Sequence, residues 1–278
     1  MLGRQMDVSA KTISNWEDGT KMPRPRHILL LREVFDISES NMRTLVRDAL
    51  NLRAGNFEKY SIQDWTFVRD NFSSYEVFLE KLVSIDRSLL EDLSEEQEGT
   101  AEQWAPILEN HKETWRLLVH NKEIIGYWHF IPLNKVLFRR AIDGALIESE
   151  LNLHSTVPIT GPGNYDIFVS MFAIETEHKI KGASILQMNL MKTIKKFASS
   201  GVFFSGISAC ALSIEGMALC QRLGMENVGR YQTAKEYEMA QVFLTDGKHI
   251  SQKGILSEVP EIRKRYARRF PEHVWLKR

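Results

Sequence analysis

The stretch from Tyr165 to Glu226 constrains the fold of this chain more than any other part of its 278 residues. It opens with ten mostly apolar residues, Tyr165 to Ile174, which predict a buried β-strand. A polar loop follows, and then a helix that starts with glycine (182–198), a second strand (202–209) and a second helix (213–223). This alternation of strands and helices predicts an α/β domain in which helices cover the faces of a sheet.

The segments upstream of that stretch predict a hairpin and a helical region. Two short β-prone runs, 115–120 and 123–130, flank the pair Asn121-Lys122, which is a hairpin signal. From Phe57 to Asn110 the chain is acidic and mostly helical in pattern. One predicted helix face there is apolar and comprises Phe78, Leu82, Ile85 and Leu89. We treat 248–278 as a basic C-terminal tail whose arginines lie on a solvated helix face.

The junction between the first strand and its helix has the features of an anion site. A helix opens near Lys179, and Gly182 and Ser184 are small enough for the backbone to approach a ligand closely. The unpaired N–H groups of a first helical turn, together with the helix dipole, attract phosphate groups. Lys179 and Lys181 add positive charge. The alternative is an ordinary helix start whose lysines are only solvated.

Two motifs in this stretch resemble the GNAT superfamily of acyl-CoA N-acyltransferases. The pyrophosphate loop of that family reads Arg/Gln-x-x-Gly-x-Gly/Ala, and here it reads Lys179-x-x-Gly182-x-Ser184. The downstream family pattern Asn-x-x-Ala-x-x-Leu-Tyr-x-x-Leu-Gly-Phe corresponds to Ser213-x-x-Gly216-x-x-Leu219-Cys220-x-x-Leu223-Gly224-Met225. The resemblance implies a GNAT-like domain over residues 57–247, with a mixed sheet, flanking helices and acyl-CoA, most simply acetyl-CoA, as cosubstrate.

The resemblance also implies how the cosubstrate binds. Two neighbouring strands, those ending near Ile174 and Ala209, would splay apart and admit the pantetheine arm between them. Backbone groups of 172–174 would pair with pantetheine, and N–H groups of 180–184 would hold the pyrophosphate. The implied cofactor-binding residues are Phe172, Ala173, Ile174, Lys179, Ile180, Lys181, Gly182, Ala183, Ser184 and Ser213.

The catalytic groups are less well defined than the cofactor site. Direct attack of an amine on a thioester requires a base or amine-recognition group, a donor to the developing oxyanion and a proton for the thiolate. Cys220 occupies the position of the family's usual tyrosine proton donor and is our candidate for that role, although we favour its alternative, a buried small apolar residue. Tyr231 and Tyr237 are alternative donors. Glu175, with Glu177, is our candidate base, and solvated loop charge is its alternative.

The nature of the acceptor follows only in outline from the sequence. The residues Glu148, Glu150 and His154 would lie on the acceptor side and suit an amine substrate. Two functional hypotheses remain open at this point. One is an N-acyltransferase. The other is a regulator that binds acyl-CoA with little or no turnover, which the substitution at Cys220 favours.

Residues 2–24 resemble the core of Xre-type helix-turn-helix DNA-binding domains. Val8-Ser9 precedes a helix that reads Ile-Ser-Asn-Trp-Glu over 13–17, followed by Gly19 and Pro23. The resemblance implies a small all-α domain over 1–53, with a second helix near 26–35 and a third starting near Ser38. The chain starts within the second helix of the family pattern. We expect a missing upstream piece, and the alternative is a remnant domain that has lost DNA binding. The implied contacts to double-stranded DNA are Ser9, Lys11, Thr12, Asn15 and Lys21.

The remaining expectations concern compartment and partners. No apolar run approaches the length needed to span a bilayer, so we expect a cytoplasmic protein without membrane contact. Cys210 and Cys220 lack metal-ligand spacing, and we expect both to be reduced and no metal to be bound. A homodimer that presents two recognition helices to a palindromic site is compatible with either functional hypothesis.

Overall fold

The computed structural model describes residues 6, 8–17, 21, 23–35, 60–89, 99–231 and 240–276. The chain divides into two compact units, Met1–Lys59 and Tyr60–Arg278. In the first unit, helix α1 spans Ala10–Glu17 and helix α2 spans Pro25–Phe35. The Ser9 hydroxyl accepts a hydrogen bond from the Thr12 N–H at 3.1 Å, as expected of a helix-capping serine. The third helix predicted near Ser38 lies outside the described residues.

The second unit is built on one seven-stranded mixed sheet. Its strands are β1 (Tyr60–Gln63), β2 (Trp115–His120), β3 (Glu123–Leu133), β4 (Gly163–Ile174), β5 (Val202–Ala211), β6 (Glu226–Arg230) and β7 (Gln241–Asp246). The spatial order is β1-β2-β3-β4-β5-β7-β6. Every pair is antiparallel except β4 and β5, which run parallel because helix α7 (Lys179–Ser199) connects them.

Helices cover both faces of this sheet and enclose two apolar cores. The first face carries α3 (Trp65–Asn71), α4 (Tyr75–Leu89), α5 (Ala101–Asn110) and α6 (Lys135–Ile142). The second face carries α7, α8 (Ile214–Arg222), α9 (Gly247–Ile250), α10 (Gly254–Glu258) and α11 (Pro260–Arg269). The predicted α/β architecture of the second unit is therefore confirmed. Within the described ranges, no helix is both long enough and apolar enough to cross a lipid bilayer.

Three short-range predictions in this unit are confirmed: the hairpin turn, the two central strands and the apolar face of α4. Asn121 and Lys122 have φ angles of 49° and 75°, the left-handed geometry of a two-residue hairpin turn between β2 and β3. The predicted strands at 165–174 and 202–209 correspond to β4 and β5. The apolar face predicted for α4 is also present, since Phe78, Leu82 and Ile85 are buried.

The structure differs from the sequence prediction at two places. β1 interrupts the segment from Phe57 to Asn110 that was predicted to be mostly helical. The compact unit also continues beyond 247, through the segment predicted to be a basic tail. Helix α11 buries Ile262 and Tyr266, and the Tyr266 hydroxyl accepts a hydrogen bond from the Phe204 N–H at 3.0 Å. The basic residues of α11 lie on its exposed face, opposite the buried Ile262 and Tyr266. The high charge of the segment therefore did not indicate that it packs against the core.

Candidate functional site

The parallel strands β4 and β5 pair over only part of their length. Their register runs from Gly163 opposite Val202 to Val169 opposite Ala209. Beyond that point β4 continues to Ile174 along β3, and β5 continues to Ala211 along β7. The two strands therefore diverge after Val169 and leave a gap in the middle of the sheet.

The β4 side of this gap presents unpaired backbone groups. The Glu175 N–H donates to the Ile125 carbonyl at 2.8 Å. This bond sets the hydrogen-bonding register between β4 and β3. Hydrogen bonding alternates along an antiparallel ladder, so Ala173 bonds toward β3, whereas Phe172 and Ile174 direct their N–H and C=O groups into the gap. An extended ligand with amide groups can bind along this edge as an added strand would.

A cavity of about 230 Å³ occupies the gap and reaches both faces of the sheet. Leu82 and Trp104 line it from the first face, and Leu190, Leu219 and Cys220 line it from the second. An opening through the plane of a sheet is unusual, because paired strands leave no such space. Here the divergence of β4 and β5 creates it. Two ligands that approach from opposite faces can meet in this cavity.

Helix α7 starts at the outer end of the gap. Its first turn follows a 3₁₀ turn, Thr176–His178, and carries Lys179, Ile180 and Lys181. Within an α-helix that begins at Lys179, the N–H groups of Ala183 and Ser184 are bonded to carbonyls one turn earlier. The N–H groups suited to an anion are therefore confined to the first turn, rather than extending to residue 184.

The positive charge at this helix start is partly balanced. Lys179 Nζ lies 3.6 Å from Glu215 Oε1, and the two side chains are 46% and 71% exposed. Glu215 belongs to the first turn of α8, whose capping residue Ser213 accepts from the Gly216 N–H at 3.0 Å. The starts of α7 and α8 therefore approach each other through this ion pair. An exposed pair of this kind contributes little stability and can exchange for a bound anion.

Gly182 has a packing role that the motif alone did not reveal. A Cβ atom at this position would lie 2.8 Å from Leu118 Cδ2 and 3.0 Å from Ile174 Cγ2. Glycine thus lets α7 lie close against β2 and β4. Of the residues assigned to the cofactor, the structure brings Phe172 and Ser213 to the cavity wall and places 179–184 at the helix start.

The two cysteines near the gap are poor proton donors. Both line the cavity, and burial raises the pKa of the Cys220 thiol to about 12. Burial, with the charge of Glu148 and the neighbouring Cys220, likewise raises the pKa of Cys210 to about 12. Tyr231 also lines the cavity, but its hydroxyl donates to the Leu146 carbonyl. Tyr237 lies outside the described residues.

The two acidic candidate regions lie at different distances from the cavity. Glu175 directly follows β4 and is not among the residues that line the cavity, so its role as a base stays a prediction. Glu148 does line it, whereas Glu150 pairs with Arg140 at 2.7 Å on the surface. His154 is exposed.

A polar pair on the first face of the sheet was not predicted from the sequence. Ser170 Oγ lies 2.8 Å from His129 Nδ1, and both residues line the cavity. Burial, with the nearby His111, lowers the pKa of His129 to about 3, so this imidazole is neutral at physiological pH. No sequence pattern identifies the pair, because its members lie on different strands.

One further cluster has the chemistry of a metal site. Among the described residues, Asp246, His249 and His273 bring one ligand atom each within 4.8 Å of one another. Asp246 is fully buried, and its oxygens accept hydrogen bonds from His273 Nδ1 and from the N–H groups of His249, Val274, Trp275 and Leu276. These bonds occupy the carboxylate, and we assign it to fixing the C-terminal segment on the sheet.

Asp246 is held ionised by this network. Burial by itself raises its pKa, but hydrogen bonds from the N–H groups of His249 and Leu276, with the His273 ring, bring the pKa below its ordinary value. The network lies at the end of β7 where Asp246 is opposite Gly206, several residues from the point at which β4 and β5 diverge.

The residues predicted to contact DNA lie on or beside α1. Lys11 is exposed, and Thr12 and Asn15 are half-buried. The Lys21 N–H donates to the Asn15 carbonyl at 3.0 Å, so Lys21 lies beside the C-terminal part of α1. The Trp16 and His27 rings lie 5.2 Å apart between their centroids and join α1 to α2.

No protein-family model and no curated protein matches this sequence. Solved structures with a similar fold include the loading GNATL domain of CurA from Lyngbya majuscula, at 13% identity and a TM-score of 0.43, covering 68% of this chain and 98% of that one. FeeM, an N-acyl amino acid synthase from uncultured soil microbes, is 13% identical with a TM-score of 0.44, covering 72% and 97%. Diaminobutyrate acetyltransferase EctA from Paenibacillus lautus is 13% identical with a TM-score of 0.41, covering 68% and 96%. Likenesses this distant carry no argument about the chemistry of this chain.

Proposed function

We propose that the unit Tyr60–Arg278 binds an acyl-CoA, most simply acetyl-CoA, and transfers its acyl group to an amine. The observation that carries this proposal is the gap between β4 and β5, which has an unpaired strand edge and opens to both faces of the sheet. This geometry suits a reaction between two substrates that enter separately. The resemblance of the motifs at Lys179 and Ser213 to acyl-CoA-binding proteins supports the same assignment.

The cosubstrate would lie along the unpaired edge of β4. Its pantetheine amides would bond to the backbone of Phe172 and Ile174, whose groups face the gap. Its pyrophosphate would reach the first turn of α7, where the helix dipole and the Lys179 ammonium favour negative charge. The thioester would then lie inside the cavity, and the amine would approach it from the first face.

The reaction in this cavity is aminolysis of a thioester. The amine attacks the carbonyl carbon, a C–N bond forms, the C–S bond breaks, and the sulfur leaves as a thiolate. The amine must lose a proton and the thiolate finally gains one. A Cys220 thiol with a pKa of about 12 does not readily supply that proton. This observation favours a second candidate function, an acyl-CoA sensor with little turnover.

The first test is calorimetric titration of the full chain with acetyl-CoA. We expect binding, and we expect Lys179→Glu to weaken it at least tenfold, since this variant reverses charge beside the pyrophosphate. Lys192→Glu is the matched control, because Lys192 is exposed on the same helix and away from its start. Gly182→Asp is unsuitable here, because any side chain at 182 meets Leu118. No measurable binding by the wild-type protein would refute the proposal.

A second assay separates the two candidate functions. Release of free CoA is followed with a panel of primary amines, with and without protein. Protein-dependent release indicates a transferase. Binding without release on any amine, combined with a change in DNA affinity when acetyl-CoA is present, indicates a sensor.

We propose in addition that the unit Met1–Lys59 binds double-stranded DNA. The capped helix α1 and the resemblance of residues 2–24 to Xre-type domains support this, and Ser9, Lys11, Thr12, Asn15 and Lys21 are the contacts that the resemblance implies. Fluorescence anisotropy with labelled DNA would show affinity that falls with salt concentration, as counterion release requires. Lys11→Ala is expected to weaken binding several-fold, and Lys264→Ala, an exposed position on α11, is the control. Equal effects of both variants would contradict the assignment.

A further inference from the structure

β4 contains a β-bulge at the point where it leaves β5. Phe130 of β3 is opposite Val169, and His129 is opposite Met171, so Ser170 has no partner residue in β3. A bulge of this kind directs two neighbouring side chains to the same face of a sheet. Met171 packs in the core of the first face, and Ser170 bonds to His129 on that face as well. The bulge thus brings the Ser170 hydroxyl into the cavity wall.

His129 is held rigidly behind this hydroxyl. Its ring is buried and meets the Trp104 ring edge-on, with 5.6 Å between the centroids. Its Nε2 atom is buried and has no hydrogen-bond partner among the described residues. A neutral imidazole carries one ring hydrogen, and in the tautomer that carries it on Nδ1 this hydrogen is donated to Ser170 Oγ. The Ser170 hydroxyl then has only the His129 carbonyl as an acceptor among the described residues, at 3.5 Å, which is the outer limit of a hydrogen bond, and a ligand carbonyl in the cavity can take its place.

The expected position of the thioester coincides with Ser170. The proposed cosubstrate runs inward along β4 from the start of α7. Ser170 is five residues inward from Glu175, and an extended strand covers roughly 16 Å over that number of residues. The pantetheine arm contains two amide units and is about as long as four to five extended residues. Its sulfur and the attached carbonyl therefore reach the bulge.

We propose that Ser170 is a catalytic residue that donates a hydrogen bond to the acyl carbonyl oxygen of the bound acyl-CoA, and that His129 is the positioning residue that directs it. This inference rests on the proposed acyl-CoA binding. As the amine attacks, the electron pair of the C=O bond moves onto the oxygen, and the donor stabilises that charge. Ser170 transfers no proton in this step. The hydrogen bond from His129 Nδ1–H to the Ser170 hydroxyl and the one from this hydroxyl to the acyl carbonyl polarise each other, so each is stronger than it would be alone.

The test compares acetyl-CoA with CoA, which has the same pantetheine but no acyl carbonyl. Ser170→Ala is expected to weaken acetyl-CoA binding roughly three- to tenfold, the effect of one lost hydrogen bond, and to leave CoA binding unchanged. Isotope-edited infrared spectra of bound acetyl-CoA with a ¹³C carbonyl provide a second readout. The carbonyl band should move to higher frequency in Ser170→Ala and return in Ser170→Thr.

Two further variants complete the test. His129→Phe is expected to move the carbonyl band part of the way while the pantetheine still binds. Ser257→Ala removes a hydroxyl that donates within α10 and is expected to change nothing. If both ligands bind wild-type protein but Ser170→Ala leaves affinity and band unchanged, or weakens both ligands equally, the inference is wrong. If neither ligand binds wild-type protein, the proposed function itself has failed, and the inference with it.

Discussion

Gly182→Ala tests whether this glycine serves packing as the structure requires. The added Cβ would lie 2.8 Å from Leu118 Cδ2, well inside an ordinary contact, and Leu118 is fully buried. Overpacking of this kind costs about 1–3 kcal/mol, and replacing glycine by alanine within a helix recovers about 1 kcal/mol. We expect a net loss of about 1 kcal/mol in the free energy of unfolding.

The measurement is urea and thermal denaturation of the full chain, followed by circular dichroism. A loss of about 1 kcal/mol corresponds to a decrease of about 2–4 °C in melting temperature for a unit of this size. Gly161→Ala is the matched control, since nothing lies within 4 Å of a Cβ at that position. We expect the control to change stability by less than about 0.5 kcal/mol.

A double-mutant cycle makes the test specific to the contact. Leu118→Val removes the clashing δ-carbon and by itself costs about 1 kcal/mol. Combined with Gly182→Ala, it makes room for the new methyl group, so the double variant should be more stable than additivity predicts by about 1 kcal/mol. Strict additivity, or a Gly182→Ala protein as stable as wild type, would show that Gly182 is not required for packing.

Three further predictions concern the site and its surroundings. Cys220→Ala should leave CoA release within twofold of wild type, because a thiol of pKa about 12 is not the proton donor; a hundredfold loss would contradict this. Asp246→Asn should lower stability by about 2 kcal/mol. The pKa of Asp246 is lower in the folded state than its ordinary value of 3.8, so its ionised carboxylate stabilises the fold above pH 3.8. This stabilisation is lost as the pH falls through the folded-state pKa. Acid unfolding of wild type and Asp246→Asn measures the difference. The effect of Lys179→Ala on acetyl-CoA affinity should shrink in 0.5 M salt, and a salt-independent effect would exclude an electrostatic role.

Part of the candidate site could be predicted from sequence because its signals are local. The helix starts near Lys179 and Ser213 and the turn at Asn121-Lys122 each depend on residues within a few positions of one another. Apolar runs likewise identified β4 and β5. Such patterns failed for α11, whose many charged residues indicated a solvated tail although Ile262 and Tyr266 are buried.

The sequence by itself determined the order β4-α7-β5-α8 and the location of the junction between β4 and α7. Periodicity, turn chemistry and capping act over short distances along the chain, so they can be read without a structure. Only the tertiary structure decided where β4 leaves β5 and that Ser170 forms a bulge beside His129. Those features depend on pairing between distant segments, since Ser170 and His129 are 41 residues apart. Pairing of distant segments is selected by packing of the whole sheet, which no local pattern encodes.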